Sequence, residues 1–498
     1  MQQQPHAIIV GSGIGGLATS IRLQVKGYQV SVYEANSYPG GKLNILEDQG
    51  FRFDTGPSLF TMPQLVMELF ELAGEKPEDW FDYHTLEVLT KYFYPDGTSI
   101  EAFAQPRAFS EEVERQTGEP SERIAAFLEH SRKLYDITHH VFLERSLHKL
   151  STYTRMGTVI STLRLPQLDP FRSMDQANRS QFEDPRVVQL FNRYATYNGS
   201  NPYEAPATLN IIPHLEFNMG AYLPKRGMYQ ITESIVKLAK KLGVKFHLNT
   251  PVEQILVERK KAVGVQVNGA SISADLVVSN ADVVPTYRKL LPDQPHPERT
   301  LTQPRSSSAL IFYWGIGAEF PELDLHNIFF SESYEAEFAC MWEEKSIYHD
   351  PTIYVNITSK LVPEDAPEGC ENWFVMVNAP ANTGQDWDTL IAQTRQHILD
   401  KLKRQLGKDI EPLIRTESIL EPRTIESKTS SYQGALYGTS SNNLFAAFLR
   451  HPNFSRKIEN LYFCGGSVHP GGGIPLSLLG AKIVGEMVPT ATSYRLHP

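Results

Sequence analysis

A chain of 498 residues, 41% hydrophobic and with a formal net charge of −10, exceeds the size at which one core keeps growing, so two or more lobes are expected. The acidic balance argues against nucleic acid as a partner, because phosphate binding rests on clustered Lys and Arg. Three widely spaced cysteines, Cys340, Cys370 and Cys464, point to neither a disulfide framework nor a metal site, and a reducing compartment is the simpler expectation. The start, MQQQPHAIIV, lacks the basic stretch and long apolar core of a signal peptide. Apolar runs such as 309–316 are far shorter than the roughly 20 residues that span a bilayer as a helix.

Residues 8–34, IIVGSGIGGLATSIRLQVKGYQVSVYE, carry the first chemistry. An apolar strand at 8–10 runs into a GxGxxG loop made by Gly11, Gly13 and Gly16, with Ile14 and Gly15 between them. The spacing predicts a helix with Leu17, Ile21 and Val25 on one face, then a strand over 29–33 that ends in Glu34. Together these parts read as a dinucleotide-binding βαβ unit. Gly11 permits the tight turn, Gly13 lets backbone approach a pyrophosphate, Gly16 lets helix and strand pack closely, and Glu34 is placed to accept from ribose hydroxyls.

Two further turns follow, Pro39-Gly40-Gly41-Lys42 and Asp54-Thr55-Gly56-Pro57-Ser58-Leu59. A nicotinamide dehydrogenase has no use for a second glycine turn with a cation just past the ribose acid. FAD is longer and needs backbone close to it at several points, so FAD is the expected cofactor. Gly41 and Lys42 would lie toward its phosphate or flavin end, and the turn Gly56-Pro57-Ser58-Leu59 would supply backbone N–H groups along it.

Residues 145–172 differ in kind. Five cations, Arg145, Lys149, Arg155, Arg164 and Arg172, stand against the single acid Asp169, with apolar residues between them at near-helical intervals. Two readings fit: a segment lying in an anionic membrane surface, or a solvated helix packed on its own domain.

The middle of the chain reads as a third piece. A helix is expected from 223 to about 242, then a turn at Gly243, strands over 251–257 and 262–267, and a closing strand that ends near 282. Val252 at a strand edge, and Asn280 and Ala281 just past a strand, are candidate cofactor contacts or plain sheet structure. The apolar stretch 306–314, with Arg305 at its mouth, suits a tunnel wall and core packing equally. Residues 431–450 would return over the cofactor, with Leu436 near the ring. At the C-terminal end a strand over 461–463 leads to Gly465 and Gly466, and PGGGIP leads through Gly473, Ile474 and Pro475 into a helix over 476–487. That second helix start favours an anion as the first does, so the FAD domain is expected to be discontinuous.

The stretches GSGIGGLATSIRL, YEANSYPGGK, FDTGPS, LPKRGMYQITESI, VVSNAD and LYFCGGSVHPGGGIPLSLLGAK together resemble the bacterial carotenoid (phytoene) desaturases, a branch of the amine-oxidase-like flavoproteins. The likeness covers nearly the whole chain, including 350–380. The stretch RYATYNGSNPYEAPATLN at 193–210 is similar to that of hydroxycarotenoid 3,4-desaturases. The resemblance implies an α/β fold: a Rossmann-like FAD-binding domain of the amine-oxidase-like type, discontinuous in sequence, with a mixed α+β substrate domain and a monotopic membrane-associated helical region. Its boundaries would be FAD-binding parts at 1–88, 223–292 and 426–498, a helical substrate and membrane region at 89–222, and a substrate sheet at 293–425.

The implied partners are a carotenoid delivered from the membrane, an anionic lipid surface, and oxygen or a quinone as electron acceptor. A peripheral position on the cytoplasmic side of the cell membrane follows, and it favours the membrane reading of 145–172. The implied chemistry is loss of hydride from the allylic C4 to flavin N5 and of a proton from C3, giving a C3–C4 double bond. His214, Glu216 and Tyr222 are candidate catalytic groups, each equally readable as a packed or surface side chain. Tyr194, Tyr197 and Asn198 are candidates to hold a terminal hydroxyl. A general carotene desaturase of the phytoene or lycopene type, a non-redox carotenoid isomerase and a soluble flavin amine oxidase stay open as alternatives.

Overall fold

The computed structural model describes residues 4–143, 145–149, 168–442 and 450–496. Five parallel strands form one sheet in the order Leu461–Phe463, Leu276–Ser279, His6–Val10, Gln29–Tyr33 and Lys245–His247. The beginning, middle and end of the chain therefore share a single sheet, as the motifs at both ends require. A parallel sheet must be covered on both faces, and the alternation of the first strand assigns the covers. Ala7 and Ile9 join the core under the helices Ile14–Val25, Tyr229–Lys241 and Ile474–Met487. Ile8 and Val10 face a three-stranded antiparallel sheet through Ile255, Ala262 and Val265. Leu17 and Ile21 are buried as the helical stripe predicts, whereas Val25, last in that stripe, is exposed.

Two glycines of the first loop are structural necessities. Gly11 sits at φ +92, which a side chain rarely adopts, and a Cβ on Gly16 would lie 2.3 Å from the Gly11 carbonyl oxygen. The middle helix starts six residues later than the sequence pattern suggests. Residues Tyr222–Pro224 form a strand paired with Tyr83–Thr85, and the chain turns at Gly227 before the helix Tyr229–Lys241. The buried Asp54 carboxylate accepts the Met228 and Tyr229 amides at 2.7 and 2.9 Å, so the FDTGPS turn caps this helix and ties the first and second cofactor segments together.

The second lobe is a mixed seven-stranded sheet in the order Ile414–Leu420, Ser308–Ile316, Glu371–Ala379, Ile353–Ile357, His326–Phe329, Val88–Phe93 and Ser99–Phe103. The pair His326–Phe329 with Val88–Phe93 is parallel and the others are antiparallel. A purely helical region beginning at 89 is thus not what forms, because these two strands complete the large sheet before the helices begin. All nine residues of Ser308–Ile316 are buried. Leu310, Phe312 and Trp314 pack with the helix Trp387–Leu406, while Ile311 and Tyr313 line a cavity. The strand is therefore tunnel wall on one face and core on the other.

The helices Ser121–Thr138 and Ile212–Phe217 add Tyr135, Thr138, Ile212 and Leu215 to the cavity wall, and Pro106–Thr117 and Pro185–Asn192 back them through the contacting rings of Phe109, Phe127, Phe191 and Phe217. Most of the basic–apolar stretch, 150–167, lies outside the described residues. Among those described, no helix is long and apolar enough to cross a membrane. A first prediction follows from the helix–strand contact: Gly16→Ala forces the Gly11 carbonyl away and costs about 1–3 kcal/mol of overpacking. A lower midpoint in thermal or denaturant unfolding checks it, and an unchanged midpoint contradicts the packing described.

Candidate active site

One cavity of about 1010 Å³ runs between the two lobes. At one end its wall is made of Gly11, Gly13, Ile14, Gly15, Glu34, Gly41, Lys42, Gly56, Pro57, Ser58, Leu59, Val252, Asn280, Ala281, Leu436, Gly465, Gly466, Gly473, Ile474 and Pro475. Every cofactor-binding candidate except Gly16 is therefore gathered in one place, and Gly16 serves the helix–strand contact instead.

Asn280 organises this end. Ideal Cβ atoms on Gly13 and Gly465 would approach its side chain to 2.7 and 2.6 Å, and one on Gly15 to 3.0 Å. Its amide donates to the Cys464 carbonyl at 3.3 Å. The three chain segments can meet only because glycine stands at each contact. The second glycine turn docks on the first through the Gly40 amide and the Ser12 carbonyl at 2.9 Å.

Both helices that start here, Ile14–Val25 and Ile474–Met487, have glycine N-caps, no side-chain cap and no acid in the first turn. Two sets of free amides and two positive dipole ends thus face one cavity, which fits a long anionic dinucleotide. A Cβ on Gly473 would meet nothing within 4 Å, so the second start is open to a ligand.

Glu34 is buried beside the first loop. One carboxylate oxygen accepts the Ser12 amide and hydroxyl at 2.8 and 2.7 Å. The other accepts the Asn36 amide and side chain, both at 2.9 Å. The two backbone bonds lock the loop geometry, and the two side-chain donors are of the kind that ribose hydroxyls replace.

Lys42 donates to the Leu436 and Ala435 carbonyls at 2.8 and 3.4 Å. Burial holds its pKa down to about 8, with the neighbouring Asp282 acting in the opposite direction. Arg450, which the sequence reading passed over, donates to the Tyr437 and Gly466 carbonyls at 2.6 and 3.3 Å. Its pKa is likewise lowered, to about 10, first by burial and then by Arg305. Lys42, Arg305 and Arg450 against Asp282 leave this end of the site positively charged, which suits the pyrophosphate or an anionic reduced flavin.

The other end is mostly apolar, walled by Ile311, Ile328, Met376, Phe374, Leu209, Ile211, Ile212 and Leu215. A buried polar knot interrupts it. Arg193 lies over the rings of Tyr92, Tyr194 and Tyr197 at 5.2, 4.5 and 5.2 Å and faces Glu216 at 3.7 Å. Glu216 accepts the Tyr194 hydroxyl at 2.7 Å and the Tyr197 hydroxyl on its other oxygen.

Of the three catalytic candidates, only Glu216 reaches the cavity. Each of its oxygens accepts a phenol and one also faces a guanidinium, so it holds those groups in place. His214 lies tilted against the Tyr135 ring at 4.6 Å and outside the wall, and the Tyr222 hydroxyl donates to the Met219 carbonyl at 2.9 Å. Tyr197 and Asn198 line the cavity, while Tyr194 stands behind it and supports Glu216.

Comparison with known proteins agrees with this arrangement. The pattern described as flavin containing amine oxidoreductase matches residues 14–484. The chain is 51% identical over 487 residues to 1-hydroxycarotenoid 3,4-desaturase of Flavobacterium sp. (strain P99-3), covering 98% of this chain and 99% of that one. It is 33% identical over 496 residues to 4,4'-diapolycopene oxygenase of Methylomonas sp, covering 97% and 98%. An oxidoreductase of known structure from Methanosarcina mazei superposes with a TM-score of 0.63 at 17% identity, over 97% of this chain and 100% of that one, a likeness of fold alone.

Two predictions follow. Glu34→Ala strands the buried Ser12 amide, at about 1–3 kcal/mol, and lowers the flavin content of the purified protein; full flavin occupancy would contradict the role given to this acid. Because Lys42 is protonated below about pH 8, FAD affinity should weaken as pH rises through that value. Lys42→Met should bind more weakly and lose that inflection, as measured by quenching of flavin fluorescence across pH.

Proposed function

We propose that this chain, which belongs to the flavin containing amine oxidoreductase family, is an FAD-dependent carotenoid desaturase that forms the C3–C4 double bond of a 1-hydroxycarotenoid. The observation that carries this reading is the continuity of the cavity. A cradle of glycine turns and uncapped helix starts opens directly onto an apolar wall formed by one face of the large sheet. The names and near-complete overlap of the relatives support the same substrate class.

FAD, when bound, supplies the acceptor for the two electrons that desaturation removes. The protein's task is to hold a polyene dry and in register. Ile311, Ile328, Phe374 and Met376 exclude water along the chain, and the allylic carbon beside the polyene loses hydride most readily because the resulting charge is delocalised. Positioning in a water-free channel contributes more here than acid–base assistance, consistent with a Glu216 whose oxygens are already engaged. The electrons pass on to oxygen or a quinone.

Access from a membrane completes the reading. The cavity wall includes Tyr135, Thr138, Phe142, Leu143 and Leu147, which lead into the basic–apolar stretch 145–172, and Phe171 within that stretch is 91% exposed. A carotenoid resides in the hydrocarbon core of a bilayer, so a surface segment that lies on an anionic leaflet on the cytoplasmic side would deliver it without a spanning helix.

The decisive assay incubates the FAD-loaded protein in liposomes with matched carotenoids, with and without the 1-hydroxyl, in the presence of oxygen or a quinone. One added conjugated double bond in the hydroxylated substrate, seen as a red shift and a loss of two mass units per bond, is the expected result. Equal turnover of phytoene or lycopene points to a general desaturase, an unchanged count of double bonds to an isomerase, and an oxygen-containing product to an oxygenase. Separately, Arg155→Glu with Arg164→Glu should weaken co-sedimentation with anionic liposomes, since each such cation contributes about 1 kcal/mol near the surface; undiminished binding would place the membrane contact elsewhere.

A further inference from the structure

The strand Glu371–Ala379 ends its cavity face on a polar residue. Trp373, Val375 and Val377 pack in the core with the helix Trp387–Leu406, so the alternate residues Phe374, Met376 and Asn378 turn to the cavity, whose wall they help to form. Asn378 is half-buried, not sealed. Its partner in register on the strand Ser308–Ile316 is Ala309, whose methyl group is too short to cover an amide.

The start of that neighbouring strand fixes where the amide lies. The Ser307 carbonyl accepts the Leu436 amide at 3.1 Å, and the Leu436 carbonyl accepts Lys42 Nζ at 2.8 Å, so Asn378 stands where the apolar wall meets the cofactor end. On its other side the Ser307 amide donates to the Gly199 carbonyl at 3.0 Å. A Cβ on Gly199 would lie 2.8 Å from both the Ser306 Cβ and the Tyr437 ring, so this turn is pressed against the strand start. It brings Asn198, also half-buried and on the cavity wall, to the same junction.

Other polar groups around the cavity are already committed. The Tyr313 and Tyr354 hydroxyls donate to the Thr55 carbonyl and to Ser58 Oγ, and Thr196 Oγ1 donates to the Arg193 carbonyl, each at 2.8 Å. Tyr197 gives its proton to Glu216. Among the described residues, neither Asn198 nor Asn378 has a side-chain hydrogen-bond partner. A hydrocarbon end seated between them would strip water from two amides and return nothing, whereas a hydroxyl both donates and accepts. An amide does the same, so the match holds whichever way each side chain is turned.

We propose that Asn378, with Asn198 beside it, seats the oxygen of the substrate's end group at the junction of cofactor cradle and apolar wall. This rests on the substrate reading above and assigns the residues that enforce it. Only C2 and C3 separate C1 from C4, so an oxygen on C1 must lie at the cofactor end if C3 and C4 are to react. Both amides determine specificity, and neither moves a proton in the reaction.

The test uses the FAD-loaded enzyme and the variants Asn378→Leu, Asn378→Thr and Asn198→Leu, each checked for flavin content. The readout is kcat/KM for a 1-hydroxycarotenoid divided by that for the matched hydroxyl-free carotene. A site built to hydrogen-bond a hydroxyl rejects the analogue that lacks it, so the ratio should fall about tenfold or more in Asn378→Leu and by a smaller factor in Asn198→Leu. Asn378→Thr, which suits a strand and keeps a hydroxyl on the same face, should recover part of the loss. Flavin-retaining variants that keep the parent's preference, or an Asn378→Thr ratio as low as that of Asn378→Leu, would overturn the seat and leave the substrate reading standing. A parent that oxidises both substrates alike overturns both.

Discussion

Everything in this structure depends on the crossing at Asn280, where three distant parts of the chain approach one side chain. The loop at Gly13 and Gly15, the strand end that carries Asn280, and the turn at Gly465 pack so closely that a methyl group on any of the three glycines would come within 3.0 Å of the Asn280 side chain. This contact sets the spacing between the strands His6–Val10, Leu276–Ser279 and Leu461–Phe463. It also brings two helix starts to one cavity. The constraint is steric, yet its consequence is electrostatic: unsatisfied amides and buried cations converge where an anionic cofactor lies.

The large sheet solves a different problem with the same economy. Alternation along Ser308–Ile316 and Glu371–Ala379 gives one face to the helix Trp387–Leu406 and the other to the cavity. A rigid, fully buried sheet can thus present a long apolar wall without exposing that wall to water. Within this wall the polar knot around Arg193 is costly. Its members Tyr92, Tyr194, Tyr197 and Glu216 hold the guanidinium in place. Buried polar networks of this sort specify geometry more than they add stability.

What the sequence made legible was what local geometry decides. The βαβ unit, the glycine turns and the C-terminal helix start are short patterns in which each residue type has its own steric reason, and they gathered as expected. The strand Tyr222–Pro224 and the joining of Val88–Phe93 to the large sheet were not legible, because both depend on partners far away in the chain. Glu216 does line the cavity, but the two phenols that its oxygens accept stand 22 and 19 residues earlier in the chain and were not readable as its partners. Arg450 was missed, although it left a trace as a lone cation at the end of the apolar run LFAAFL.

The central claim is that cofactor cradle and polyene tunnel are one site, so that electrons leave the carotenoid directly for the flavin. An anaerobic single turnover tests this most directly: the FAD-loaded protein is mixed with substoichiometric 1-hydroxycarotenoid, and flavin and polyene absorbance are followed together. Bleaching of the oxidised flavin should keep pace with the red shift of the polyene, one flavin for each double bond formed. A red shift with the flavin still oxidised, or a bleached flavin with an unchanged polyene, would contradict the account.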